Sequence, residues 1–261
     1  MPQVIPPPTT RVKVYIVTHG PKCSIIPDYC EPIEVGCSFR NQFIYQTRDD
    51  SFEGNISAKN KEWCEITGLY YIWRKDTSDI TGLYHYRRAF NLKKDQIIRL
   101  LRTNDVIAAD VYVKPQIKEF VKKGCPSGSF DCALEAIKNV QPDYYEDACK
   151  IMDGHFYYAC QMFVAKHEWM DAYCEWMFSI LNEIERIIKP EQKDPRYMGY
   201  IAELLCLATY IEHNKYNVAK QSILYFDDKN TLLAKFMKSS LWSNQFTHSL
   251  KNIVKKLAYK I

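Results

Sequence analysis

Hydrophobic and polar residues follow two different periods along this chain, one typical of strands and one typical of helices. Residues 11–18 (RVKVYIVT) alternate and are rich in β-branched side chains, which predicts a first strand. Beyond Ser57, a predicted helix N-cap, apolar residues from Trp63 to Trp73 recur at spacings of 3, 4 and 3. That spacing predicts an amphipathic helix with one buried face. Gly68 within it costs about 1 kcal/mol of helix stability relative to Ala, so we expect a close approach there.

The same two periods divide the rest of the chain. They predict further strands over 33–35, 79–84, 105–113, 156–165 and 222–225, and further helices over 94–103, 130–140, 169–187 and 198–213. Strands that alternate with helices predict an α/β sandwich with a mainly parallel central sheet. Such sheets bind ligands at the carboxyl ends of their strands.

The length and composition fit one soluble domain. The chain has 261 residues, of which 47% are hydrophobic and 25% charged, enough to bury a full core. We predict a flexible leader over residues 1–10, the main domain over 11–230 and a basic amphipathic helix over 231–261. Seven lysines and no acidic residue follow Asp228, so a net charge of +4 leaves about −3 elsewhere.

The predicted terminal helix has one apolar stripe. Its members are Leu250, Ile253, Val254, Leu257 and Ile261, and the lysines lie off that stripe. Two interpretations fit this pattern equally. The helix docks on an anionic membrane surface, or its stripe packs on the main domain, as in any amphipathic surface helix.

The cysteines and the absence of a long apolar run indicate a cytoplasmic protein. Ten cysteines occur without a Cys-x-x-Cys pair or a zinc-binding spacing, so we expect reduced, mostly buried thiols. No secretory signal opens the chain, and no apolar run reaches about 18 residues. We therefore predict a cytoplasmic location, with the inner face of the membrane as a further possibility.

Basic and imidazole side chains gather at predicted strand ends. His19 closes the first strand, and the strand over 79–84 runs directly into His85, Tyr86, Arg87 and Arg88. Guanidinium groups at a strand end suit an anionic ligand such as a nucleotide diphosphate. The chain contains no Asp-x-Asp sequence that could hold a divalent metal, so we expect the diphosphate to be bound without metal or other cofactor.

Several motifs in sequence order resemble one protein family. They are VTHG (17–20), IEVG (33–36), NISAKN (55–60), CEITGLYYIW (64–73), ITGLYHYRR (80–88), QMFV (161–164), YCEWMF (173–178) and RYMGYIAE (196–203). The set is similar to bacterial capsular-polysaccharide and exopolysaccharide biosynthesis proteins. That family was long described as a domain of unknown function and is now regarded as glycosyltransferases, including galactofuranosyltransferases.

The resemblance implies a fold, an activity and partners. The fold would be a GT-A-like nucleotide-sugar-binding sandwich, and the donor a nucleotide sugar, with a UDP-sugar as the first expectation. The acceptor would be a saccharide or a lipid-linked saccharide in capsule or surface polysaccharide synthesis. The resemblance also favours Glu65 and Thr67 as donor-binding residues. Asn55 and Ser57 join them because a helix N-terminus favours anions.

Glycosyl transfer also needs a base that deprotonates the acceptor hydroxyl. Glu203 is the first candidate, because a carboxylate in the apolar stretch IAELLCLA needs a partner or a function. Asp153 is the second. Arg196 lies two predicted helical turns before Glu203, and a structural Glu–Arg pair is the alternative interpretation. His155, Gln161 and Arg196 are candidate acceptor or sugar ligands.

Two other classes of protein stay open at this point. A non-catalytic scaffold of a polysaccharide assembly complex would keep the fold and lose the activity. A nucleic-acid-binding protein would use the basic tail and the 19 tyrosines. No RNA-binding motif is present and the basic residues flank an apolar stripe, so we expect no nucleic acid partner.

Overall fold

The computed structural model describes residues 10–20, 22–23, 26–113 and 116–225. The strands are β1 (Val12–Thr18), β2 (Cys30–Glu34), β3 (Ile80–His85), β4 (Arg88–Phe90), β5 (Val106–Ala109), β6 (Val111–Val113), β7 (Phe156–Tyr158), β8 (Phe163–Lys166), β9 (Val218–Gln221) and β10 (Ile223–Tyr225). The predicted tail helix, and the predicted leader apart from Thr10, lie outside the described residues.

The helices lie between these strands. They are α1 (Asn60–Trp63), α2 (Ile66–Lys75), α3 (Lys94–Leu100), α4 (Ile117–Gly124), α5 (Ser129–Val140), α6 (Tyr145–Asp153), α7 (His167–Ile187), α8 (Tyr197–Ile201) and α9 (Leu207–Asn214). A π-helical segment, Ala202–Cys206, joins α8 to α9. None of the helices that the structure describes is both long and apolar enough to cross a membrane.

The central sheet is mostly parallel, as predicted. Its strands lie in the order β2–β1–β3–β8–β5–β9, and β8 alone among these six runs against the others. β4 and β10 continue the sheet beyond β3, while β6 and β7 form a separate antiparallel ribbon. Strands with both faces covered carry continuous apolar runs, which explains why β5 (VIAA) is buried at every position.

Two glycines let neighbouring elements approach closely. A Cβ at Gly68 would lie 2.9 Å from a methyl carbon of Val35 and 3.0 Å from one of Val17, so α2 packs directly on the sheet as expected. A Cβ at Gly82 would lie 2.3 Å from the carbonyl oxygen of Phe163, where β3 meets β8. Any larger residue at either position would push the element away from the sheet.

The predicted helix from Ser57 to Trp73 is interrupted. It begins as a 3₁₀ turn (Ser57–Lys59), continues as α1, and breaks at Cys64, whose φ is +52°. Ser57 is therefore not a helix cap, and its hydroxyl donates to Asp49 at 2.6 Å instead. Periodicity alone misses this break because the apolar side chains on both sides still face the same core.

Other boundaries differ for related reasons. The predicted strand over 105–113 is two strands, β5 and β6, and the one over 156–165 is split by a 3₁₀ turn (Ala159–Gln161). The predicted helix over 198–213 contains the π segment. The helices α4 and α6 were not predicted as elements, and neither were β4 and β9, which are only three and four residues long.

The cysteines agree with the prediction of reduced, mostly buried thiols. All ten are free. Seven are buried, and the three that are partly exposed are Cys30, Cys64 and Cys149.

Candidate functional site

The carboxyl ends of β1 and β3 meet at one point on the sheet edge. The peptide N–H of Tyr86 donates to the carbonyl oxygen of Val17 at 3.0 Å. The rings of His19 and Tyr86 then meet edge to face, with their centroids 5.2 Å apart. The guanidinium of the exposed Arg87 lies 4.7 Å from the Tyr86 ring centroid. The predicted meeting of His19 with the segment after β3 is therefore present.

Positive charge surrounds this point. Partial desolvation and the guanidinium of Arg87 lower the pKa of His19, and Arg40 and Arg196 act in the same direction. Arg40 is held by a 2.9 Å ion pair with the fully buried Glu34. A neutral imidazole among guanidinium groups leaves a field that favours an anionic ligand.

Glu203 lies near this positively charged strand end, in the π-helical segment, where the charge of Arg88 acts on it. Its Oε1 accepts a hydrogen bond from the peptide N–H of Cys160 at 2.9 Å. Burial raises the pKa of Glu203, and the second carboxylate, Glu65, raises it further. A partly exposed carboxylate with a raised pKa is suited to accept a proton near neutral pH. Single π turns within α-helices are frequent at functional sites.

His85 contacts the main chain of the same residue, Cys160, through the following peptide group. Its Nε2 lies 2.6 Å from the carbonyl oxygen of Cys160. Because a carbonyl can only accept, Nε2 carries the proton. Burial, and then the charge of Arg88, lower the pKa of His85 to about 4, so the ring is neutral at physiological pH. The expected contribution of this imidazole to the charge of the anion site is therefore absent, and the arginines supply that charge.

Glu65 is the second carboxylate of the cluster. It directly follows Cys64 and precedes α2. Burial raises the pKa of Glu65, and the charges of Arg196 and Arg88 partly oppose that effect. The Nε of Arg196 donates to the Cys64 Sγ at 3.1 Å. Arg196 therefore belongs to the Glu65 side of the cluster.

Backbone strain is concentrated around these groups. Cys64, Cys160, Gln161 and Arg196 have φ values of +52°, +66°, +50° and +61°. A residue other than glycine in this left-handed conformation costs on the order of 1–3 kcal/mol, and the conformation persists only where the surroundings impose it. Four strained residues beside one pair of carboxylates indicate a functional site rather than a packing defect.

Three tyrosines lie near Arg88. The half-buried Arg88 guanidinium lies 5.7 Å from the ring centroid of Tyr225, whose hydroxyl is hydrogen-bonded to that of Tyr112. The buried Tyr157 follows, and its pKa is raised by burial and then by the charge of Glu203. These tyrosines were not singled out from the sequence. The only available signal was the richness in tyrosine, which does not mark individual positions.

Two of the expected donor ligands, Ser57 and Thr67, belong instead to a closed polar cluster around the buried Asp49. Its Oδ1 accepts from the Cys37 N–H at 3.1 Å and the Ser57 hydroxyl at 2.6 Å. Its Oδ2 accepts from the Gly36 N–H at 2.8 Å and the Thr67 hydroxyl at 2.7 Å. Ser57 and Thr67 are themselves buried, which corrects the expectation that they bind the donor.

Asn55 also has a local structural partner set. Its Nδ2 donates to the carbonyl oxygen of Phe52 at 2.7 Å, and its Oδ1 accepts from the Ser57 N–H at 3.1 Å. Ser57 begins a 3₁₀ turn of three residues, and α1 has only four. Neither element forms the long helix N-terminus on which the anion-binding expectation rested.

Gln161 and Asp153 have partners outside the Glu203 cluster, and His155 lies at the surface. Gln161 is fully buried, and its amide donates to the Tyr173 hydroxyl at 2.6 Å in the core, so it is not a sugar ligand. Asp153 ends α6 rather than lying in a loop, and forms an exposed ion pair with Lys118 at 2.7 Å. His155 is exposed just before β7. The predicted Glu203–Arg196 pair is not among the ion pairs of the described residues.

Within the part of the chain that the structure describes, one group of side chains has ligand atoms close enough to share a metal ion. It consists of Cys37, Asp49 and Asp50. The oxygens of Asp49 already accept four hydrogen bonds, about as many as a carboxylate can. Asp50 pairs with Arg48 at 3.1 Å. The residues are therefore occupied in ways that do not fit a resident metal.

The fold is that of a mixed α/β protein, and the cluster lies at the carboxyl ends of its parallel strands, where such folds bind ligands. The chain belongs to the family described as a domain of unknown function, DUF4422, whose model matches residues 13–215. No curated protein matches it.

Among solved structures, the chain is similar to the apo structure of the WbbM bifunctional glycosyltransferase. The TM-score is 0.75 and the sequence identity 22%, over 84% of this chain. The chain spans 46% of the length of that protein. At this identity the likeness shows a shared fold.

Proposed function

We propose that the protein is a glycosyltransferase that moves a sugar from a nucleotide-diphosphate donor to a hydroxyl acceptor. The observation that carries this proposal is the half-buried Glu203 carboxylate, with a raised pKa, beside a cationic strand end. Glycosyl transfer needs both parts, a base for the acceptor and positive charge for the leaving diphosphate. The fold shared with a bifunctional glycosyltransferase supports the same activity.

The donor diphosphate is bound in this proposal by Arg87 and Arg88, with His19 beside them. Arg88 is half-buried and Arg87 exposed, so the first lies deeper in the protein than the second. The chain contains no Asp-x-Asp sequence, which supports binding of the diphosphate by guanidinium groups without a divalent metal. A UDP-sugar is the proposed donor, on the motif resemblance.

The acceptor hydroxyl is deprotonated in this proposal by Glu203. Its carboxylate oxygen that does not receive the Cys160 hydrogen bond is the one that takes the proton. Attack by the resulting alkoxide on the donor sugar gives a single displacement with inversion. The partly exposed Tyr225 offers a ring face for sugar packing next to Arg88.

The biological setting of the proposal rests on the motifs. They favour transfer of a hexose, with galactofuranose as the specific candidate, to a saccharide or lipid-linked acceptor in surface polysaccharide synthesis. Docking of the 231–261 segment on the cytoplasmic membrane surface would bring the site to a lipid-linked acceptor. Full-length protein would then sediment with anionic vesicles in a salt-sensitive way, and a chain ending at Asp228 would not.

Donor binding and turnover test the proposal directly. Saturation-transfer NMR against UDP-, GDP- and CMP-sugars should identify one nucleotide class, and hydrolysis of that donor should persist in excess EDTA. Arg88→Ala should raise the KM for the donor about 10-fold or more, because a hydrogen bond to a charged group contributes about 1.5–3 kcal/mol. Arg99→Ala, an exposed arginine on α3, is the matched control.

Two results would overturn parts of this proposal. Activity that vanishes in EDTA and returns with Mn²⁺ contradicts the metal-independent mechanism. Binding of no nucleotide sugar, together with no turnover of any donor, favours the alternative of a non-catalytic scaffold.

A further inference from the structure

The peptide backbone of Cys160 is held from both sides by site residues. The Nε2–H of His85 donates to the carbonyl oxygen of Cys160 at 2.6 Å, and the N–H of Cys160 donates to Glu203 Oε1 at 2.9 Å. One residue therefore connects the end of β3 to the carboxylate in the π segment. No other hydrogen bond to a Glu203 carboxylate oxygen is present among those of the described residues.

The backbone conformation needed for this connection is not one that the chain adopts unaided. Cys160 has φ +66° and ψ +15°, and Gln161 follows with φ +50°. Consecutive left-handed residues with side chains must be imposed by their surroundings. Gln161 is fixed on one side by its core hydrogen bond to Tyr173 at 2.6 Å. The His85 hydrogen bond fixes the Cys160 carbonyl on the other side.

We infer that His85 is a positioning residue, which holds the main chain of Cys160 in its left-handed conformation, so that the N–H of Cys160 orients the Glu203 carboxylate. This inference rests on the proposed function of Glu203 as the base. A hydrogen bond to one carboxylate oxygen fixes the plane of the group and directs the other oxygen towards the acceptor. His85 therefore acts through a main-chain group and makes no contact with the donor diphosphate.

The charged groups around His85 are consistent with this role. The guanidiniums of Arg88 and Arg196 disfavour its protonation, while the carboxylate of Glu203 favours it. Glu65 acts on Glu203. The imidazole stays neutral across the working pH range and keeps a fixed tautomer, with the proton on Nε2. A donor-binding histidine at the same position would need its charge or a free N–H.

The two roles predict different kinetic effects. If His85 positions Glu203, His85→Ala lowers kcat by about 10-fold or more and leaves the dissociation constant for UDP within about 2-fold. His85→Gln restores much of kcat, because a glutamine amide can donate to the same carbonyl. Arg88→Ala shows the opposite split, with weaker UDP binding. His213→Gln, a histidine paired with Asp147 on α6, is the matched control.

A second readout does not depend on activity. The pKa of the Glu203 carboxylate can be followed by carbon NMR, with the signal assigned from its absence in Glu203→Gln. The Cys160 N–H and His85 itself both lower this pKa, so His85→Ala should raise it, and His85→Gln, which keeps a donor to the Cys160 carbonyl, should recover the part of the shift that positioning causes. The acidic limb of the pH–rate profile should move in the same direction.

The outcomes separate this inference from the proposed function. An unchanged Glu203 pKa in folded His85→Ala overturns the positioning role, as does a loss of UDP affinity equal to that of Arg88→Ala. If His85→Ala does not fold, His85→Asn replaces it, since its shorter amide does not reach the carbonyl and the same shift is expected. A raised Glu203 pKa in a protein with no transferase turnover sustains the positioning role and overturns the proposed function alone.

Discussion

Two carboxylates lie in polar clusters near the same edge of the sheet, and their surroundings differ in one decisive way. Asp49 is buried, and both of its oxygens are fully occupied by hydroxyl and peptide donors from its own domain. Glu203 is partly exposed and accepts one hydrogen bond, from Cys160. A carboxylate that accepts all the hydrogen bonds it can holds a loop in place. One that accepts a single hydrogen bond and lies next to guanidiniums keeps the capacity to accept a proton.

The difference also appears in the backbone and in the charges. The Asp49 cluster joins the loop after β2 to the start of α2 through short side chains. The Glu203 cluster is framed by strained residues, which include Cys64 and Cys160, and by a second carboxylate with a raised pKa, Glu65. Strain and perturbed pKa values that coincide at one place are the reason for proposing this cluster as the functional site. Polar character alone is not sufficient.

Removal of the Asp49 carboxylate should have the largest effect on stability. Asp49→Ala leaves four buried donors without an acceptor, and each costs about 1–3 kcal/mol. We expect the free energy of unfolding to fall by about 3 kcal/mol or more, measured by urea denaturation. Asp49→Asn, which keeps one acceptor oxygen, should lose less. Unfolding of Asp49→Ala at the same urea concentration as wild type would contradict the structural role of the Asp49 cluster.

Acidification should destabilise the protein through His85. The native pKa is about 4 and the ordinary value 6.5, so the unfolded chain binds a proton that the native state rejects between these values. Stability is therefore lost as the pH falls through this window. The expected loss relative to His85→Gln is on the order of 2 kcal/mol between pH 7 and pH 5. Parallel unfolding curves for the two proteins across that range would show that the imidazole is not kept neutral.

The smallest expected effect concerns Ser57. Ser57→Ala removes one of the donors to Asp49 and leaves the others in place, so the loss should be about 1 kcal/mol in unfolding free energy. Because Ser57 is buried and bonded within the Asp49 cluster, kcat and the donor KM should stay within about 2-fold of wild type. A donor KM raised 10-fold in a stable Ser57→Ala protein would indicate instead that Ser57 binds the donor.

The main strands and several site residues could be predicted from the sequence. β1 alternates and is rich in β-branched residues, and β3 is mainly apolar. Both strands lead into polar residues, so their existence and the position of His19 and His85 follow from the pattern. Glu203 is conspicuous as a carboxylate in an apolar helical stretch. These features are local, and local periodicity is what a single sequence carries most clearly.

The features that were missed depend on contacts between distant segments. The hydrogen bond from Cys160 to Glu203 uses a main-chain group 43 residues away, which no side-chain motif reveals. The structural role of Ser57 and Thr67 was missed because their shared acceptor, Asp49, lies 8 and 18 residues earlier. The predicted Arg196–Glu203 pair assumed one regular helix. Arg196 instead precedes α8 in a left-handed conformation, and its Nε donates to Cys64.

Turnover by Glu203→Gln is the most direct test of the central claim that the Glu203 carboxylate is the base. The amide keeps the size and can still accept the Cys160 N–H, so the protein should fold and bind UDP like wild type. It should lose about 10²-fold or more in kcat, the scale of general base removal. Glu212→Gln, an exposed glutamate on α9, should retain full activity. A stable Glu203→Gln enzyme with wild-type kcat would contradict the account.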